Sequence, residues 1–364
     1  MIPVNSPLLS GNEKIYLNEC IDTGWISSEG PFINKFETSF ASYIGREYGV
    51  AVSNGSAALD IAVKALGISV GDEVIVPTFT IISPIQSIIS AGAIPVLVDS
   101  DPLTWNIDVN QIESKITSRT KAILVVHIYG LPVDMDSIIE LCNTYNLLLI
   151  EDAAEMHGQT YNGVKCGSFG DISIFSFYPN KMITTGEGGM ILMNAEELYQ
   201  KCQKLRNLAF EPNGRRFVHE DIGWNYRMTN MQAALGLAQL EKIEFHIKRK
   251  REIGSMYADG LKNIKNVQLP LPETGYATNI YWVFGLVFDT EKAKIEIVEH
   301  LTSLGIGTRP FFWCMHEQPI FKRMGFFQNQ SYPIAEKLAR NGFYLPCGLG
   351  ITNDQINYVI SKLI

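Results

Sequence analysis

The sequence predicts an α/β protein: a mixed, mostly parallel sheet flanked by helices, followed by a smaller C-terminal α+β unit. The first observation behind this is that, from about residue 48 to 195, short apolar runs of strand length alternate with amphipathic segments of helical spacing. Strand and helix repeated in this way build a parallel sheet covered on both faces. The second is length, since 364 residues favour two domains over one.

Taken in order, strands are expected over residues 48–53, 73–76, 94–98, 122–126 and 147–150. Helices are expected over 56–66, 83–91, 109–115 and 135–145, each closed by Gly, Pro or Asn. Residues 171–177 alternate and are rich in aromatic and β-branched side chains, and 190–193 is a second short apolar run, so both read as strands. Helices follow at 196–208 and over one long stretch, 230–261. The later part of that stretch interleaves acidic and basic residues and reads as a solvated connecting helix rather than a nucleic-acid surface. Beyond Pro270 and Pro272, a strand at 280–288 and helices at 292–304 and 354–363 make up the smaller unit. The division is placed between residues 1–245, the large unit, and 246–364, the small one.

Composition narrows the function classes. Hydrophobic residues make up 46% and charged ones 19%, as in ordinary soluble globular chains. The formal net charge of −8 argues against nucleic-acid or anionic-membrane partners, which need clustered Lys and Arg. No apolar run reaches membrane-spanning length, and the N-terminus lacks a basic segment followed by an apolar core. The six cysteines are scattered without a C-x-x-C pair, as expected of reduced thiols in a cytoplasm. The six histidines show no metal-binding spacing, so no metal site is expected.

The chemistry is expected at 168–194, where a turn between two strands carries Lys181 and the glycines Gly186, Gly188 and Gly189. An ammonium is costly to bury unless it is paired, neutral or covalently used, and one use is a Schiff base to an aldehyde cofactor. Alternatively, Lys181 reaches out from a surface turn beside glycines that permit tight backbone. Three further stretches bear on this choice. At Ser53-Asn54-Gly55-Ser56 a strand turns into a helix whose free N–H groups suit a phosphate, or whose Ser53 or Asn54 simply caps it. At Ile150-Glu151-Asp152 a buried strand ends in carboxylates, and Asp152 could pair with a protonated ring nitrogen or cap nearby backbone. At 223–230 polar and aromatic residues precede a helix, with Thr229 a possible N-cap.

The ordered segments NGSAALDIA, GDEVIVPTFT, VDSD, HIYGLPVDMD, IEDAAEMHG, SFGDISIFSFYPNKMITTGEGGM and NYRMTNMQAALGLAQLE resemble the DegT/DnrJ/EryC1/StrS family of sugar aminotransferases over almost the whole chain. Within it, Trp25–Gly30, Thr308–Phe312, His316 and Gln318-Pro319 resemble the group that makes GDP-perosamine, nucleotide-sugar 4-aminotransferases.

The resemblance implies an aspartate-aminotransferase-like (fold type I) architecture, pyridoxal 5′-phosphate (PLP) as cofactor, and L-glutamate and a nucleotide-linked 4-keto-6-deoxy sugar as substrates. It implies Lys181 as the lysine joined to the cofactor, Asp152 as partner of the ring nitrogen and Glu155 near the ring hydroxyl. It further implies Gly55, Ser56 and Ser176 at the phosphate, and Asn225 reaching the phosphate of a neighbouring subunit in a homodimer with shared active sites. Arg309 is the candidate for the diphosphate, with Trp25, Ser27, Ser28 and His316 near the sugar or nucleotide. One departure is Ile81, where the family often has an aromatic residue against the cofactor ring. Alternatives are a UDP- or dTDP-linked keto sugar, aminated at C4 or C3, and a non-catalytic or regulatory protein that keeps the fold.

Overall fold

The computed structural model describes residues 1–211 and 214–364. Its larger sheet has strands β1 (Tyr48–Val52), β2 (Glu73–Pro77), β3 (Ile94–Val98), β4 (Thr120–Val126) and β5 (Leu148–Asp152). After a small hairpin, β6 (Thr160–Tyr161) with β7 (Val164–Lys165), it adds β8 (Ile172–Ser176) and β9 (Gly189–Met193). The order is β1-β9-β8-β5-β4-β2-β3, and every neighbouring pair is parallel except the two that β9 makes. Valine and isoleucine runs buried on both faces account for these strands, since a sheet covered on two sides needs no polar alternation.

The expected helices flank this sheet as α3 (Gly55–Ala65), α4 (Ser83–Ser90), α5 (Met135–Tyr145) and α6 (Glu196–Arg206). Preceding them are α1 (Glu13–Thr23) and α2 (Pro31–Ile44), which the sequence reading did not assign. In α1 the apolar Ile15 and Ile21 are exposed, so no apolar stripe marks it. In α2, Phe36 and Phe40 are fully buried against Phe175 and Phe177, with Phe40 edge-on to both at 4.9 and 5.2 Å. Each such side chain contributes about 1.5–3 kcal/mol by leaving water.

Three expectations are corrected. Residues 109–115 form two 3₁₀ turns, Val109–Gln111 and Glu113–Lys115, because the segment is too short to offset helix nucleation. The long helix is two, α7 (Asn230–Leu240) and α8 (Ile243–Leu261). Nor is α8 a solvated connector: His246, Lys250, Ile253, Tyr257 and Leu261 are buried along one face.

The smaller sheet runs β10-β11-β13-β12, with β10 (Val267–Gln268), β11 (Gly285–Phe288), β12 (Arg309–Pro310) and β13 (Gly342–Tyr344). The strand expected from residue 280 starts only at Gly285: Tyr281 takes a left-handed φ of 53° and residues 282–283 bend before the ladder begins. Helices α9 (Glu291–Ser303) and α12 (Asn353–Ile360) match expectation, whereas α10 (Pro319–Arg323) and α11 (Pro333–Asn341) were not assigned.

Candidate active site

The carboxyl ends of β1, β2, β4, β5 and β8 share one edge of the sheet, where ligands bind in this architecture. Asp152 is the last residue of β5, paired in register with Val126 and Ile174. Beyond Ser176 the chain loops through Lys181 and returns as β9, placing Gly189 beside both Ser176 and Val52. Gly189 must be glycine: a Cβ there would meet the Asn54 carbonyl oxygen at 2.5 Å.

The Lys181 side chain is 10% exposed, and its Nζ lies 3.7 Å from Glu155 Oε1 and 4.0 Å from the centre of the Trp282 ring. Two remote residues hold its loop. Asn5 donates to the Pro179 carbonyl at 2.9 Å, and the Trp282 indole N–H donates to the Asn180 carbonyl at 2.9 Å. Glu155 is fixed from its other oxygen, which accepts the Tyr129 N–H at 2.8 Å. Asp152, 3% exposed, accepts the Ala154 N–H at 3.1 Å.

Burial dominates the electrostatics. It raises the Asp152 carboxyl to about 6, against the opposing pull of the Ala154 N–H and Lys181. It also raises Glu155 and lowers Lys181, each charge partly restoring the other. His157, packed against Phe175 and Phe177, is driven down to about 3 by burial and is neutral. Two buried carboxyls thus face one buried amine, and the set is short of one positive charge.

That shortage fits PLP, whose protonated ring nitrogen would supply the missing charge beside Asp152. The start of α3 fits its phosphate. Asn54 caps the helix by accepting the Ala57 N–H at 2.8 Å, which leaves the N–H groups of Gly55 and Ser56 without intrahelical acceptors. A Cβ on Gly55 would sit 3.0 Å from the Ser176 Cβ, so these two elements form a tight cradle. Ser56 Oγ hydrogen-bonds Ser83 Oγ at 2.6 Å.

The other expected residues are more dispersed. Asn225 is exposed on the segment before α7, where Thr229 and Gln232 form a capping box. Trp25 and Ser27 are exposed and Ser28 is half-buried; their loop is pinned by Asn230, whose Nδ2 donates to the Trp25 carbonyl at 2.7 Å. Arg309 is exposed on β12, opposite Tyr344. His316 is buried, with Nδ1 2.9 Å from Thr78 Oγ1 and Nε2 3.1 Å from Glu336, so both ring nitrogens are engaged within the protein. Ile81 is 49% exposed.

Sequence reasoning missed Trp282, Tyr129 and the pair His127–Glu151 behind Asp152. His127 Nδ1 accepts the Val133 N–H at 3.0 Å, so its Nε2 carries the proton toward Glu151, also 3.0 Å away. The HIYG segment following a strand was a visible signal for Tyr129; nothing local pointed to Trp282. Among the described residues, His127, Glu151 and Cys166 come close enough to hold a metal ion, but Glu151 is already occupied by His127 and the N–H groups of Gly167 and Phe169. No helix among the described residues is long and apolar enough to cross a membrane.

The DegT/DnrJ/EryC1/StrS aminotransferase family matches residues 8–364. A GDP-perosamine synthase of Escherichia coli O157:H7 is 45% identical over 362 residues, covering 100% of this chain and 97% of that protein. The GDP-perosamine synthase of Vibrio cholerae is 40% identical over 361 residues, covering 99% and 97%. The X-ray structure of the aminotransferase from Psychrobacter cryohalolentis superposes with a TM-score of 0.91 at 30% identity, covering 98% of this chain and 96% of that one. With the lysine, carboxylate and helix-start geometry in place, these full-length matches show that the chain belongs to the DegT/DnrJ/EryC1/StrS family of PLP-dependent aminotransferases.

Proposed function

We propose that the protein transfers the amino group of L-glutamate to a nucleotide-linked 4-keto-6-deoxy sugar, converting GDP-4-keto-6-deoxy-D-mannose to GDP-perosamine. The observation that carries the reading is full-length similarity at 45% and 40% identity to two proteins named for that product. The Trp25–Gly30 and Thr308–Phe312 segments support it.

PLP, when bound, supplies an electron sink and a carrier for the amino group. Gly55 and Ser56 offer backbone N–H groups and Ser176 its hydroxyl to the phosphate, with Asn225 of a partner subunit completing the cradle of a homodimer. With the cofactor bound, Asp152 would keep its ring nitrogen protonated, and Glu155 would lie near its ring hydroxyl. Lys181 Nζ, its basicity lowered by burial, would carry the Cα proton of the amino donor across to the cofactor in the first half-reaction, and in the second would carry a proton from the cofactor to the sugar carbon that receives the amine. Arg309 meets the diphosphate, while Trp25, Ser27 and Ser28 line the sugar or nucleotide. His316, with both nitrogens engaged, acts by bracing Thr78 next to Phe79. A cytoplasmic enzyme of O-antigen or lipopolysaccharide biosynthesis fits this substrate.

The test starts with absorbance of the purified protein before and after L-glutamate. A visible cofactor band that shifts to the aminated form is expected. Product analysis with GDP-, UDP- and dTDP-linked 4-keto sugars then follows, with turnover expected on the GDP sugar. No band after cofactor is supplied, or no turnover, points instead to a non-catalytic protein; preference for another nucleotide refutes the GDP assignment alone.

A further inference from the structure

Lys250 is 3% exposed on α8, yet no carboxylate pairs with it among the described residues. Its ammonium donates instead to two main-chain carbonyls, that of Trp282 at 2.7 Å and that of Cys347. An ammonium removed from water with neutral acceptors only is expensive, and apolar side chains would fill such a place at lower cost. The arrangement needs a reason beyond packing.

Trp282 offers one, because its side chain grips the reactive loop twice. The indole N–H holds the Asn180 carbonyl at 2.9 Å, and the ring face lies 4.0 Å from Lys181 Nζ. A ring face attracts a cation through its quadrupole, and the attraction depends on distance and tilt. Tyr129 stacks against Trp282 at 6.0 Å, and its N–H fixes Glu155, the other partner of Lys181. The main chain of Trp282 must therefore be fixed for its side chain to hold this geometry. Lys250 fixes it, tying α8 to the Trp282 carbonyl and the Cys347 segment at one point, while Tyr257, two turns further along the same face, holds the Pro346 carbonyl at 2.7 Å.

We propose that Lys250 is a positioning residue for the Lys181 amine, acting through Trp282, whose main-chain carbonyl it clamps. This rests on Lys181 being the reacting amine. The titratable groups facing Lys181 are Glu155, Asp152 and neutral His157; the one facing Lys250 is the Cys347 thiol, with the Tyr257 hydroxyl engaged on the adjoining Pro346 carbonyl.

The test is the pH profile of Lys181 acylation by an amine-reactive reagent in the full-length, cofactor-free protein, read peptide by peptide by mass spectrometry. Trp282→Leu keeps apolar cover but removes the quadrupole, and is expected to move the Lys181 midpoint to lower pH by about one unit. Lys250→Met is expected to move it in the same direction, and the double variant no further than Trp282→Leu alone. Direction is decisive, since loss of a nearby positive charge by itself raises the midpoint. An unchanged or raised midpoint in Lys250→Met, or an additive double variant, overturns the proposal. If Lys250→Met does not fold, Lys250→Gln keeps one donor and serves in its place, and an unchanged midpoint in Trp282→Leu refutes the proposal without either. The pH titration of the visible cofactor band in the loaded enzyme is a second readout. Acylation reports on the amine itself, so its outcome is independent of whether Lys181→Ala abolishes turnover.

Discussion

Lys181 Nζ and Glu155 Oε1 stand 3.7 Å apart out of water, and burial works on them in opposite directions, lowering the amine and raising the carboxyl. Each charge is the other's main compensation. Glu155→Gln removes the larger of the two anionic influences on Lys181, so the amine's midpoint moves to lower pH. Acylation profiles of the cofactor-free protein measure this, and an unmoved midpoint sinks the assigned coupling.

Lys181→Ala removes both the anchor and the base. Turnover drops by about 10²–10⁴-fold or further, the range for loss of a positioned proton carrier. Borohydride treatment followed by intact-mass measurement shows a cofactor adduct in the parent and none in the variant. Retained turnover would falsify the role.

Asp152 has a folded-state pKa raised to about 6, so in the cofactor-free protein the folded state binds more protons than the unfolded state between about pH 4 and 6. The Asp152 contribution to stability therefore falls as pH rises through that window and is constant above it, while Glu155, raised to about 7, extends the fall. Asp152→Asn removes this contribution, leaving the slope that the raised Glu155 adds, and stabilises the cofactor-free protein at neutral pH by about 3 kcal/mol at most, while turnover collapses. Denaturation curves at pH 4 and 7 for both proteins decide the point; equal slopes exclude it.

Gly189→Ala sets a methyl group 2.5 Å from the Asn54 carbonyl oxygen and forces β9 away from the start of α3. The expected cost is about 1–3 kcal/mol of stability, as for other overpacked sites. Weaker retention of the cofactor accompanies it, because the displaced backbone carries Gly55. Thermal melts with and without added PLP separate the two effects.

Arg309→Ala is expected to raise KM for the nucleotide sugar by about 10–100-fold, the worth of a charge-assisted hydrogen bond, and to leave the half-reaction with L-glutamate unchanged. Steady-state kinetics on each substrate tests it. Equal losses in both half-reactions would place Arg309 outside the diphosphate site.

Much of this was legible along the chain because the signals are local. Strands buried on both faces appear as unbroken apolar runs, and the ends of such strands locate Asp152 and Ser176 whatever packs on them. A strand that turns through Asn54-Gly55 into a helix marks its own anion site, and Lys181 stands out in a glycine-rich turn. Family resemblance rests on these same segments. Contacts between remote segments leave no such trace. Trp282 lies 102 residues beyond Asn180, and its place over Lys181 follows from a left-handed turn at Tyr281 and from the packing of α8. Lys250 looks solvated within a charged helix, because its acceptors are carbonyls that arrive from two distant loops. Local spacing determined which faces are apolar and which chemistry the chain carries; only the tertiary structure decided which side chains surround the reactive amine, since that depends on where distant segments meet.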